Sequence, residues 1–145
     1  MTGTTQYLKS RNPAIRTICV EPDESPVLSG GNPGSHTIPG IGPGFIPENC
    51  RTELIDEIQR VKSEDALAIA RALASKEGIL VGVSAGAAVS AAIVIGKRPE
   101  NKDKTIVVII PSFGERYLSH VLFADLTKEA VDQAAEPIDA EWKMN

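Results

Sequence analysis

Two serines stand where chemistry is easiest to arrange, each just beyond an apolar, β-branched run. Ser84 lies in Gly82-Val83-Ser84-Ala85-Gly86, which fits the G-x-S-x-G elbow that presents a serine nucleophile between a strand and a helix. Such a serine hydrolase also needs a base and its orienting acid, and Asp103 and His120 follow Ser84 in that chain order. The same five residues equally suit a tight strand-to-helix turn in which the Ser84 hydroxyl caps the helix, so both readings stand at this point. Ser112 opens the second candidate, the turn Pro111 to Tyr117 that follows Ile110. Ligands of open parallel sheets sit outside the carboxyl ends of the strands, which makes this turn the first place to look for a site. A third candidate, Gly40-Ile41-Gly42-Pro43-Gly44, can bring bare main chain against a ligand.

The elements that must position these residues can be read from pattern. Ile79 to Val81 and Thr105 to Ile110 are continuous apolar runs, as in parallel strands buried on both faces. Between them, Ser84 to Ile95 is a helix with almost no polar side, so the three segments form a right-handed βαβ unit. Ser63 to Glu77 is a second helix, capped by Ser63, acidic in its first turn at Glu64 and Asp65, and stopped by Gly78. Ile15 to Val20 and Leu54 to Val61 read as further strands, and Tyr7 to Lys9 as the end of a helix that Asn12 and Pro13 stop. The stretch from Ser29 to Pro47 is dense in glycine and proline. With Ile38, Ile41, Phe45 and Ile46 spaced along it, it reads as an ordered wall of a site. Leu118 to Ala135 is helical, and residues 136–145, with Trp142, form a loosely held tail. The fold class is therefore α/β, with a partial parallel-sheet domain over residues 1–135.

Composition narrows the function. The 145 residues carry a net charge of −4 with both signs dispersed, which argues against nucleic acid and anionic membranes as partners. Cys19 and Cys50 make neither a disulfide framework nor a metal pattern, and His36 and His120 stand alone, so no metal site is expected. There is no signal peptide and no run long enough to span a bilayer. The expected location is the cytoplasm. Plastid and mitochondrion stay open, because a targeting peptide would lie upstream of these residues.

Pro111 to Phe123 (PSFGERYLSHVLF) closely resembles the corresponding stretch of cysteine synthases, the O-acetylserine sulfhydrylases, especially those of plants. Val20 to Cys50, the helix end ASKEGILVGVSAGAA and the turn KRPEN from Lys97 to Asn101 resemble that family in the same order, so the likeness runs from about Thr2 to Gln133. It implies the large domain of a fold type II pyridoxal-phosphate enzyme, and replacement of the acetoxy group of O-acetylserine by sulfide. Ser112 then matches the serine that meets the cofactor's pyridine nitrogen, and Gly40, Ile41 and Gly42 match the loop at the active-site mouth. Pro43 stands where the family usually has alanine. The central turn, G-I-S-S-G-A in the family, is Gly82-Val83-Ser84-Ala85-Gly86-Ala87 here, which accounts for the elbow pattern without a nucleophile.

The same alignment implies that the phosphate-cradling GTGGT loop falls just before Met1. It also implies that the small N-terminal domain and the lysine that holds the cofactor lie further upstream. None of the eight lysines of this chain stands in that lysine's context. The likeness therefore implies the carboxyl-terminal part of a cysteine synthase, inactive by itself, with catalytic residues outside the chain. A non-catalytic chain that binds a full-length subunit or serine acetyltransferase is the alternative. The family's homodimer and its acetyltransferase partner are implied too. However, Asn32 and Thr37 replace lysines often found on the docking surface, which weakens the second of these.

Overall fold

The computed structural model describes residues 1–134. The predicted tail, including Trp142, lies outside them. Helix α1 (Thr2–Arg11) ends at Asn12 and leads to strand β1 (Ile18–Pro22), which starts three residues later than its apolar run. A long connection with a single turn of 3₁₀ helix at Thr52–Leu54 reaches strand β2 (Glu57–Val61). The two strands pair in parallel, Ile18 with Glu57 through Pro22 with Val61. Helices α2 (Ser63–Glu77) and α3 (Val83–Gly96) follow, and after several short turns α4 (Ala124–Asp132) closes the described part. No helix among the described residues is long and apolar enough to cross a membrane.

The core is the contact between α2 and α3. Ala66 and Ala70 of α2 meet Ala85, Ala87 and Ala91 of α3, with Val61, Val81, Val83, Ile38, Leu122 and Phe123 completing one buried cluster. Small residues on both helices let the backbones approach closely, and Gly86 is the nearest point, facing the Ala66 carbonyl and the Ala70 side chain. Arg71 fastens this layer from its edge, donating from Nε to the Leu122 carbonyl at 2.7 Å and from a terminal nitrogen to that of Val121 at 2.9 Å.

Several expectations are corrected. The N-cap of α2 is Lys62, and Ser63 instead accepts from the Thr37 N–H through Oγ and donates its own N–H to Glu24. Gly78 does end α2, in the left-handed conformation at φ 69°. The N-cap of α3 is Gly82, not Ser84, because the helix begins two residues earlier than a Ser84 cap would set it and Ser84 sits inside its first turn. Its far end is also not covered on all sides, since Ile93 and Val94 face outward.

The βαβ unit across α3 does not form. Of Ile79 to Val81 only Val81 makes a bridge, antiparallel to Phe113, while Thr105 to Ile110 has no ladder partner among the described residues and Val107 and Ile109 are exposed. A fully apolar run announces burial between two neighbours, but those neighbours must come from outside it. The predicted helix from Leu118 is also shorter, because a 3₁₀ turn at Val121–Phe123, capped by His120 Nδ1, interrupts it before α4.

Asp56 holds α1 and β1 in place, receiving Lys9 Nζ at 2.6 Å and the Thr17 N–H at 2.6 Å. The hydrogen bond from Lys9, then that from Thr17, keeps its carboxyl below the ordinary carboxylate range. A folded pKa below the unfolded one adds stability that is complete above about pH 4 and lost as the pH falls through the folded value. Asp56→Asn should therefore flatten the acid limb of a plot of urea midpoint against pH. An unchanged acid limb would show that other carboxylates govern it.

Candidate functional site

The turn carrying Ser112 is welded to the entrance of α3. Gly82 donates its N–H to the Ser112 carbonyl at 2.9 Å, and Gly114 donates to the Leu80 carbonyl at 3.2 Å, on either side of the Val81–Phe113 bridge. This small antiparallel clasp sets the half-buried Ser112 Oγ 3.0 Å from the Tyr117 hydroxyl. Tyr117 packs on the buried cluster and meets the His120 ring edge-on, centroids 5.9 Å apart. Gly82 is required here for space: a Cβ would run into the Tyr117 ring and come within 2.5 Å of Ser112 Oγ.

The Gly40 to Gly42 loop has its own support. Gly40 and Gly42 take φ of 93° and 60°, a region that disfavours other residues. His36 Nε2 lies 2.9 Å from the Gly42 carbonyl, while Nδ1 accepts from the Ile38 N–H at 3.3 Å, so the imidazole folds the loop back on itself. That pairing places the proton on Nε2. Ile38 is fully buried and Ile41 packs on the same cluster as Tyr117, whereas Phe45 and Ile46 stay exposed. The wall expected from Ser29 to Pro47 is thus anchored at two of its four apolar residues. Its upstream end hangs on the buried Glu21, whose carboxylate accepts from the N–H groups of Leu28 and Ser29 and from the Ser29 hydroxyl. No hydrogen bond joins Ser112 to the glycine loop among the described residues. They share a floor, the buried cluster, but not a direct contact.

The elbow reading of Ser84 loses its parts. Ser84 is 8% exposed, and His120 Nδ1 accepts from the Leu122 N–H, so that nitrogen serves a helix cap.

The sequence model of a family described as pyridoxal-phosphate dependent enzyme matches residues 1–112. The chain belongs to that family. Among its relatives, cysteine synthase 3 of Caenorhabditis elegans is 49% identical over 129 residues, covering 89% of this chain and 38% of the worm protein. The crystal structure of cysteine synthase from Entamoeba histolytica superposes with a TM-score of 0.82 at 43% identity, over 94% of this chain and 38% of that one. An O-acetylserine dependent cystathionine β-synthase from Helicobacter pylori, 43% identical, gives 0.75 over 84% of this chain and 39% of that one. The chain thus spans about two fifths of the length of these relatives, and the match falls on their carboxyl-terminal part. The fold expected from the resemblance, that of fold type II pyridoxal-phosphate enzymes, is the fold of its structural neighbours.

Within this pyridoxal-phosphate family member, Ser112 was legible from the motif, but its partners were not. Tyr117 lies five residues on, and Gly82 belongs to a segment thirty residues away in sequence. A hydroxyl one turn past a site serine, with Gly114 between them, is the signal that points to Tyr117.

Proposed function

We propose that residues 1–135 are the carboxyl-terminal part of the cofactor-binding domain of a cysteine synthase, which makes cysteine from O-acetylserine and sulfide by pyridoxal-phosphate-dependent β-replacement. The observation that carries this reading is the pairing of Ser112 with Tyr117 under Gly82, inside a stretch that matches cysteine synthases. The residues present fit one edge of the cofactor: a half-buried hydroxyl, held from behind by a phenol, in a niche that any side chain at position 82 would fill. Pyridoxal phosphate, when bound, supplies an aromatic ring that draws electrons from the substrate's α-carbon. Ser112 would hold the ring nitrogen by a neutral hydrogen bond. A hydroxyl does not give up its proton as a carboxylic acid does, so Ser112 orients and tunes rather than protonates. Gly40, Ile41 and Gly42 would line the mouth, where main chain can meet the substrate.

The reaction in this reading involves the family's homodimer in a reducing compartment, the cytoplasm, and the free thiols of Cys19 and Cys50 suit that setting. Docking of serine acetyltransferase is weakened by Asn32 and Thr37. The direct test is a chimera in which this chain replaces the matched part of the worm cysteine synthase. Cysteine formation from O-acetylserine and sulfide is expected, and a stable chimera that makes no cysteine would overturn the reading.

Ser112→Ala in the chain itself should leave the circular dichroism unchanged and cost about 1 kcal/mol, the worth of one hydrogen bond whose phenol partner can still find water. A loss of helical signal would instead make Ser112 a structural anchor of the clasp.

A further inference from the structure

Ser112 Oγ and the Tyr117 hydroxyl lie 3.0 Å apart, and among the described residues each hydrogen-bonds to nothing else. The distance alone allows either oxygen to donate. Tyr117, however, has no room to swing aside. Its ring rests on the buried cluster, its Cζ lies 2.8 Å from where a Cβ on Gly82 would stand, and the His120 ring meets it at 86°. His120 is itself tied down, donating its backbone N–H to the Tyr117 carbonyl at 2.8 Å and accepting the Leu122 N–H at Nδ1. With the ring held in this way the phenol oxygen is held too, and only its O–H bond can still turn.

The chemistry of the two hydroxyls selects a direction. A phenol is more acidic than an alkyl alcohol, so it is the stronger donor and the alcohol oxygen the stronger acceptor. Serine also has a single proton to give. If Ser112 donated to Tyr117, its oxygen would offer only lone pairs to the open side of the niche, where they would face the lone pair of an unprotonated pyridine nitrogen.

We infer that Tyr117 is a positioning residue: its phenol donates to Ser112 Oγ and thereby leaves the Ser112 proton free for the cofactor's ring nitrogen. The consequence for the cofactor rests on the function proposed above, whereas the direction of the bond is a property of this chain alone. Hydrogen bonds in series polarise one another, by about 10–30% per bond, so the phenol also makes Ser112 a better donor. Tyr117 acts entirely through Ser112, and the two residues work as one unit.

Two measurements test this. The first is Raman spectroscopy of the chain itself with the exposed Tyr7 changed to Phe, which leaves Tyr117 as the sole tyrosine. The intensity ratio of the tyrosine ring doublet separates a donating phenol from an accepting one. The donor pattern is expected, and Ser112→Ala should move it to that of a phenol in water. An acceptor pattern, or one that Ser112→Ala leaves unchanged, would overturn the inference.

The second uses the chimera with the worm enzyme, titrated with pyridoxal phosphate and followed by visible absorption. Tyr117→Phe keeps the ring and should leave the circular dichroism unchanged, while raising the half-saturating concentration about threefold to tenfold, the range of one hydrogen bond. In a Ser112→Ala background the same change should have no further effect. Binding that Tyr117→Phe leaves at the wild-type level, or an equal loss in both backgrounds as a purely structural tyrosine would give, refutes the role. A chimera with both residues in place that makes no cysteine counts against the proposed function instead, and the Raman ratio then still decides the direction of the bond.

Discussion

Gly86→Val is expected to abolish the native fold. An ideal Cβ at position 86 collides with the Ala66 carbonyl oxygen and comes within 2.9 Å of both the Cβ and the backbone nitrogen of Ala70. Two of these three atoms are main chain of α2, so no rotamer change makes room and the helices must separate. That separation opens the contact on which Ala66, Ala70, Ala87 and Ala91 depend for burial. Overpacking of an adaptable core costs about 1–3 kcal/mol, and a clash with rigid backbone lies above that range, against a total stability of about 5–15 kcal/mol for an ordinary domain. The expected readout is loss of the cooperative thermal transition. Gly86→Ala, which carries the same Cβ without the two further methyls, should already show a severely lowered midpoint. A Gly86→Val protein that melts like wild type would mean that α2 and α3 are not in close contact.

The second large effect concerns catalysis. The 145-residue chain, purified and mixed with pyridoxal phosphate, O-acetylserine and sulfide, is expected to make no cysteine above the rate of a protein-free control. It should also acquire no dialysis-resistant visible absorption. A reactive lysine needs a desolvated site that lowers its pKa, and two of the chain's lysines are already engaged at the surface, Lys9 with Asp56 and Lys62 with Glu64. By resemblance, none matches the family's cofactor lysine. A visible band that survives dialysis and disappears in a single Lys→Ala variant would refute this.

Which features could be read ahead of the structure depended on whether their causes were local. The boundaries of α2 were legible because Glu64 and Asp65 suit its first turn and Gly78 its left-handed end. The turn after Arg11 was legible from Asn12 and Pro13. The pairing of β1 with β2 was not, because parallel partners are set by tertiary contacts and their register leaves no local mark. Composition placed Thr105 to Ile110 in a covered sheet, and the structure leaves it uncovered, since apolar content records what a strand needs and not whether it is supplied. At the site, the motif from Pro111 to Phe123 located Ser112. Gly82 reads in sequence as the opening glycine of the G-x-S-x-G pattern, when its role is to leave space for Ser112 and Tyr117.

The connection between β1 and β2 bears on the order in which the protein assembles. Parallel strands are commonly joined through a helix that forms early and shortens the search, but here residues 23–56 contain only one 3₁₀ turn. Closing so long a flexible loop is entropically unfavourable, and the ladder repays little of it until Ile38 and Ile41 are seated. The α2–α3 hairpin faces no such delay, because five residues separate the two helices. Refolding should therefore be biphasic, with the helical signal recovering first and protection of the β1–β2 amides later.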